Sequence, residues 1–161
     1  MKYIVGFIFV LFWGSLASAQ SIAVKSHTAE LRDSTDPYAY RVVLMVPRYY
    51  PLAVESEDAN FYKVSDYQGR EGWIAKKDTY DPETVVVDTD GNKIVRKMRT
   101  VVIKSTNINI RSGPGTDHNI VFRADQGVAF KVLDQKGEWL QVVHESGEEG
   151  WLHGALVWGG E

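Results

Sequence analysis

The 161-residue chain contains no cysteine, which excludes a disulfide framework, a thiol nucleophile, a lipid-modified N-terminal cysteine and cysteine-ligated zinc. Its net charge of −3 gives no electrostatic footprint for nucleic acid or for an anionic lipid surface. Aromatic residues reach 12%, a share that becomes informative once the elements are placed.

The first nineteen residues read as a targeting segment. Met1-Lys2 is a minimal positive start, residues 3–16 are almost wholly apolar, and Ala17-Ser18-Ala19 is a small-residue cleavage pattern before Gln20. The expectation is a signal peptide over 1–19 and a secreted or periplasmic product with no membrane insertion after cleavage. Beyond it, β-branched and aromatic runs predict strands at 41–46, 61–64, 85–87, 101–103, 128–133 and 139–143. Turn chemistry bounds them at Gln68-Gly69, Asp90-Gly91-Asn92, residues 112–115, Gln126-Gly127, Lys136-Gly137 and Ser146-Gly147. No sustained helical period interrupts this pattern, so the chain reads as all-β, built of small barrels.

The pattern occurs twice. Val24-Lys25-Ser26 returns as Ile103-Lys104-Ser105 and Leu31-Arg32 as Ile110-Arg111 at an offset of 79, whereas Gly72-Trp73-Ile74 returns as Gly150-Trp151-Leu152 at 78. A change of offset by one is the mark of a single-residue insertion in a loop. The copies are placed at 21–80 and 99–159. Between them, residues 81–98 form a β-prone linker expected to be a hairpin turning at Asp90-Gly91.

In the second copy, Asn109-Ile110-Arg111-Ser112-Gly113-Pro114-Gly115-Thr116-Asp117 opens a series that continues with Gly137-Glu138-Trp139-Leu140-Gln141-Val142 and Gly147-Glu148-Glu149-Gly150-Trp151-Leu152. This order resembles the bacterial SH3-like (SH3b) domains. The first copy is degenerate: Leu31-Arg32-Asp33-Ser34 lacks the loop glycines, while residues 60–74 keep the later half. The resemblance implies two SH3-like barrels in tandem that bind peptidoglycan peptides or an extended peptide segment without catalysis. An adaptor binding one periplasmic protein partner is the alternative. The degenerate first loop implies that the copies do not bind the same thing.

The residues themselves offer contact surfaces rather than reactive groups. His27, His118, His144 and His153 lack ligand spacing; His144 and His153 are the two that could approach across the last hairpin, as bystanders. No nucleophile elbow or phosphate loop occurs, so neither enzyme activity, cofactor nor metal is expected. Ile74 and Leu152 are expected to point into the cores, with Trp73 and Trp151 lying across the barrel mouths. Arg32 and Arg111 are expected to donate to loop carbonyls. Tyrosine offers a flat apolar face and a hydroxyl. One reading places half of the rings in cores; the other makes Tyr38, Tyr40, Tyr49 and Tyr50 the walls of a ligand groove, with His118, Trp139 and Trp151 in comparable positions of the second copy.

Overall fold

The computed structural model describes residues 20–80, 84–87, 90, 93–96 and 98–160; the segment read as a signal lies outside them. Strands β1 (Ser21–Ala23), β2 (Thr28–Arg32), β3 (Val42–Pro47), β4 (Pro51–Glu57), β5 (Phe61–Ser65) and β6 (Glu71–Ala75) form one sheet in the order β1-β4-β5-β6-β2-β3. Strands β7 (Thr84–Val87) and β8 (Lys93–Arg96) pair antiparallel with each other, with Asp90 in the turn between them. A second sheet holds β9 (Thr100–Ile103), β10 (Ile108–Arg111), β11 (Ile120–Ala124), β12 (Ala129–Lys136), β13 (Trp139–Val143), β14 (Glu149–His153) and β15 (Val157–Gly159), in the order β11-β10-β14-β13-β12-β9-β15. The protein is all-β, with two separate sheets of the kind expected of two small SH3-like barrels.

The repetition is structural down to its irregularities. A register shift between Val54 and Ser56 recurs between Val132 and Asp134, and one between Leu31 and Arg32 recurs between Ile110 and Arg111. The short 3₁₀ turn Lys76–Asp78 returns as Gly154–Leu156. Even the β9–β15 pairing has a remnant in the first copy, the isolated bridge Val24–Thr79 opposite Ile103–Val157. The inserted residue is located by register: Arg32 pairs with Val42 and Arg111 with Ile120, so the β2–β3 loop is longer by one than the β10–β11 loop.

Close backbone approach explains the Gly-Trp pairs. At the point where each barrel closes, β6 touches β2 through Arg32–Trp73, and β14 touches β10 through Arg111–Trp151. A Cβ on Gly72 would stand 2.6 Å from Leu31 Cγ and 2.9 Å from the Arg32 carbonyl oxygen. On Gly150 it would stand 2.5 Å from Ile110 Cγ2 and 3.0 Å from the Arg111 oxygen. The fixed strand crossing leaves no room for a methyl group. Gly150→Ala is therefore expected to cost about 1–3 kcal/mol, read by urea denaturation. A loss under about 0.5 kcal/mol, the ordinary surface value, would show that the strands can part.

Period-two alternation builds the interiors. Ile74 and Leu152 are fully buried, as their inward assignment requires. Strand β9 is buried at every position, because Val101 and Ile103 enter the second core while Val102 enters the first. Ala129, the cross-strand partner of Val102, joins it there, and Trp158 packs alongside. An uninterrupted apolar run is what a strand with two dry faces needs. His27 Nδ1 and Glu145 Oε2, 2.8 Å apart, tie the two copies again at the surface.

Candidate functional site

The second copy carries an apolar-walled cleft of about 370 Å³ between β10, the 112–119 loop and the β13–β14 end. Its lining residues are Asn107, Ile108, Asn109, Arg111, Thr116, Trp139, His153 and Leu156. Trp139 opens β13 and pairs in register with His153 at the end of β14, so their rings meet edge to face at 5.4 Å and 85°. His153 Nδ1 accepts the Ala155 backbone N–H at 3.2 Å, capping the 3₁₀ turn that delivers Leu156. That bond leaves the proton of the neutral ring on Nε2, which faces Glu138 Oε2 at 3.4 Å.

Arg111 shapes the opposite wall. Its Nη1 donates to the carbonyl oxygens of Thr116 (3.0 Å) and His118 (2.8 Å), fixing the glycine-rich loop against β10 as expected of a structural arginine. The loop glycines are needed for the same fit, since a Cβ on Gly113 would stand 2.6 Å from the His118 ring. Together these residues offer an aromatic floor, two side-chain amides, a hydroxyl and an imidazole N–H: a surface for stacking and hydrogen bonding.

The corresponding place in the first copy is polar. Thr28, Ala29, Glu30, Arg32, Tyr40, Met45, Ala75 and Asp78 line a cleft of about 310 Å³, several of them at positions equivalent to those of the second cleft. Arg32 departs from the expected role. It pairs with Glu30 through Nε (2.9 Å) and Nη2 (2.7 Å), and its guanidinium lies 4.0 Å over the Tyr40 ring. The missing glycines leave a loop that does not draw this arginine to its carbonyls.

The candidate residues therefore do not gather in one groove. Tyr40 and His118 occupy equivalent positions, His118 folding over the loop glycines. Tyr38 stands in solvent at 97% exposure. Tyr49, at φ 68°, stacks on Tyr80 with centroids 6.3 Å apart. Tyr50 is a core residue, 3% exposed. Trp139 lines the second cleft, whereas Trp151, on the same face of the sheet by register, is buried beneath Lys136 Nζ, 5.6 Å from its ring centroid, and is not part of the cleft lining. His144 packs on Phe130 and lies at the opposite end of the β13–β14 hairpin from His153, so those two imidazoles do not meet. Sequence reasoning missed Ile108, Asn107, Asn109 and Leu156. The signal for them was the position of β10 and the 3₁₀ turn relative to Trp139, which exists only in three dimensions.

One buried charged network has no counterpart in the second copy. Asp66, its side chain wholly buried, accepts the backbone N–H groups of Gln68 and Arg70 (both 2.9 Å) on Oδ1. Its Oδ2 accepts Arg70 Nε at 2.7 Å and the Tyr50 hydroxyl at 3.3 Å. Burial pushes the Asp66 carboxyl up, but the Arg70 side chain and the two backbone donors outweigh it and hold the group below the usual carboxylate range. Burial, reinforced by the Asp66 charge, pushes the Tyr50 phenol well above its ordinary value. Among the described residues, no group of three or more His, Asp or Glu stands ready to hold a metal ion.

Residues 104–159 match the family model for the bacterial SH3 domain. Over 56 residues the chain is 36% identical to a putative N-acetylmuramoyl-L-alanine amidase, YrvJ, of Bacillus subtilis (strain 168), which covers 35% of this chain and 11% of that protein. Over 49 residues it is 35% identical to a probable cell wall amidase, LytH, of Staphylococcus epidermidis, covering 30% of this chain and 17% of that one. The chain thus spans less than a fifth of the length of these relatives. Among solved structures it is similar to NlpC1 from Trichomonas vaginalis, at 16% identity and a TM-score of 0.34, covering 89% of this chain and 47% of that chain. One bacterial SH3 domain is present, and it is the copy that holds the Trp139 cleft.

Proposed function

We propose that this chain is a non-catalytic binding protein of the cell envelope, its copies at 21–80 and 99–159 acting as tandem modules, in which the second copy holds a peptidoglycan peptide in the Trp139 cleft. The observation that carries this reading is the cleft itself. An aromatic wall and two amides stand on a barrel of a type shared with proteins named as cell wall amidases, and the groups lining it are suited to contact. Trp139 supplies the ring against which an extended chain lies, while Asn107, Asn109 and His153 supply partners for its amides. A shallow site is weak alone, and a second site on the same chain raises avidity when both engage one target.

The protein lacking residues 1–19 is expected to pellet with isolated sacculi, and its tryptophan emission to shift with muropeptides. Trp139→Ala should weaken this binding by about tenfold or more, the scale of an aromatic anchor, with folding unchanged by circular dichroism. Absence of pelleting and of any shift at high ligand concentration would remove this reading.

The adaptor reading rests on a different feature. The edge strands β3 and β11 expose Val42, Val43, Met45, Ile120 and Val121, the surface on which a partner strand can be added. One stoichiometric protein partner recovered from an envelope extract after wall digestion would favour it.

A further inference from the structure

A third cleft lies between the two copies and is walled by both. It has a volume of about 280 Å³, with Leu44, Pro47, Tyr67 and Arg70 contributed by the first copy and Gln126 and Gly127 by the second. Arg70 is its cation, with 38% of its side chain exposed. Nε and Nη2 are spent on Asp66, with Nη2 also 3.4 Å from the Tyr50 hydroxyl, while Nη1 has no partner among the described residues. The guanidinium is a planar fork, so fixing one edge on a buried carboxylate presents the other edge in a set direction. Asp66 cannot swing away, because two backbone N–H groups hold its other oxygen.

The turn does not need a buried charge. The equivalent turn of the second copy has an exposed set of side chains, His144, Ser146 and Glu148, in place of the buried pair, yet closes with the same backbone bonds, His144 N to Glu148 O and Gly147 N to His144 O. In the first copy they are Asp66 N to Arg70 O and Gly69 N to Asp66 O. A buried ion pair is a weak source of stability, so its presence on one side only, at the wall of a cleft, points to positioning. Both Asp66 oxygens are engaged and no carboxylate lines the cleft, so its one charged group is the Arg70 donor, which favours an anion. With one guanidinium, itself paired, it suits a single negative charge.

We propose that this inter-copy cleft is a second binding site, distinct from the Trp139 cleft, and that it takes the free C-terminal carboxylate of a short peptide on Arg70. The peptide body lies against Tyr67 and Pro47, with Gln126 closing the far side. Asp66 is the positioning residue that aims the guanidinium.

The test uses N-acetyl-dialanine and its C-terminal amide as probes, followed by amide chemical shifts of the ¹⁵N-labelled protein. The acid is expected to move Tyr67, Gln68, Gln126 and Gly127, and the amide to bind about tenfold or more weakly, the scale of one charge-assisted hydrogen-bond pair. Arg70→Gln should abolish the preference for the acid. Gln126→Glu, which leaves the Asp66 network untouched, should weaken the acid and spare the amide, whereas Trp139→Ala should leave the acid's affinity unchanged. Equal binding of acid and amide, shifts confined to the surroundings of Trp139, or wild-type affinity in both Arg70→Gln and Gln126→Glu would overturn the proposal. None of these results depends on whether sacculi bind at the Trp139 cleft.

Discussion

Replacing Asp66 with alanine should lower stability at neutral pH by about 3 kcal/mol, the lower end of the cost of breaking a buried pair, since the partly exposed Arg70 keeps some hydration. The substitution strips an acceptor from the Gln68 and Arg70 backbone N–H groups, from the guanidinium and from the Tyr50 hydroxyl together. Asp66→Asn keeps one oxygen for the backbone donors and should lose less. The sign of the pH effect follows from the lowered pKa. The folded state holds the carboxylate more strongly than the unfolded chain, whose aspartate titrates near pH 3.9. The stabilisation is therefore complete above about pH 5 and fades as the pH falls through the lowered folded value. Urea denaturation at pH 7 and pH 3 should show the difference between wild type and Asp66→Ala shrinking in acid. A loss below about 1 kcal/mol at pH 7, the scale of an exposed pair, would mean that the network is replaceable by water.

The joint between the copies should be equally sensitive. Ala129 sits on the second sheet yet is buried in the first core beside Val102. Ala129→Arg forces a long charged side chain into that apolar space and should cost about 4 kcal/mol or more. Because the same position serves both copies, calorimetry should show one cooperative transition in the wild type and two separate ones in the variant. Val121→Arg, on the exposed edge of β11, is the control and should stay within about 0.5 kcal/mol of wild type. One unchanged transition in Ala129→Arg would show that the copies do not depend on this contact.

Much of the architecture was legible because it rests on local rules applied twice. Glycine next to tryptophan, β-branched runs and turn dipeptides marked the same elements in each copy, and the shift of offset from 79 to 78 told of the loop insertion that register places between Arg32 and Val42. Strand β4 escaped notice: it opens on Pro51 and ends in Glu55-Ser56-Glu57, polar residues that earn a strand only by pairing between β1 and β5. The site was less legible. Trp139 could be singled out as a candidate groove ring, but its neighbours Ile108, Asn109 and Leu156 come from elements far apart in the chain. Tyr38, Tyr40, Tyr49 and Tyr50 looked alike in sequence and have four different surroundings in space.

By itself the sequence determined an all-β chain built from one pattern used twice, because period-two burial and turn chemistry act between near neighbours and leave their mark on composition. Tertiary structure alone decided that β9 feeds two cores, that Arg32 and Arg111 take different partners, and that Arg70 faces a cleft walled by both copies. Those outcomes depend on which surfaces meet across large separations in the chain, and a side chain carries no record of the neighbour it will find there.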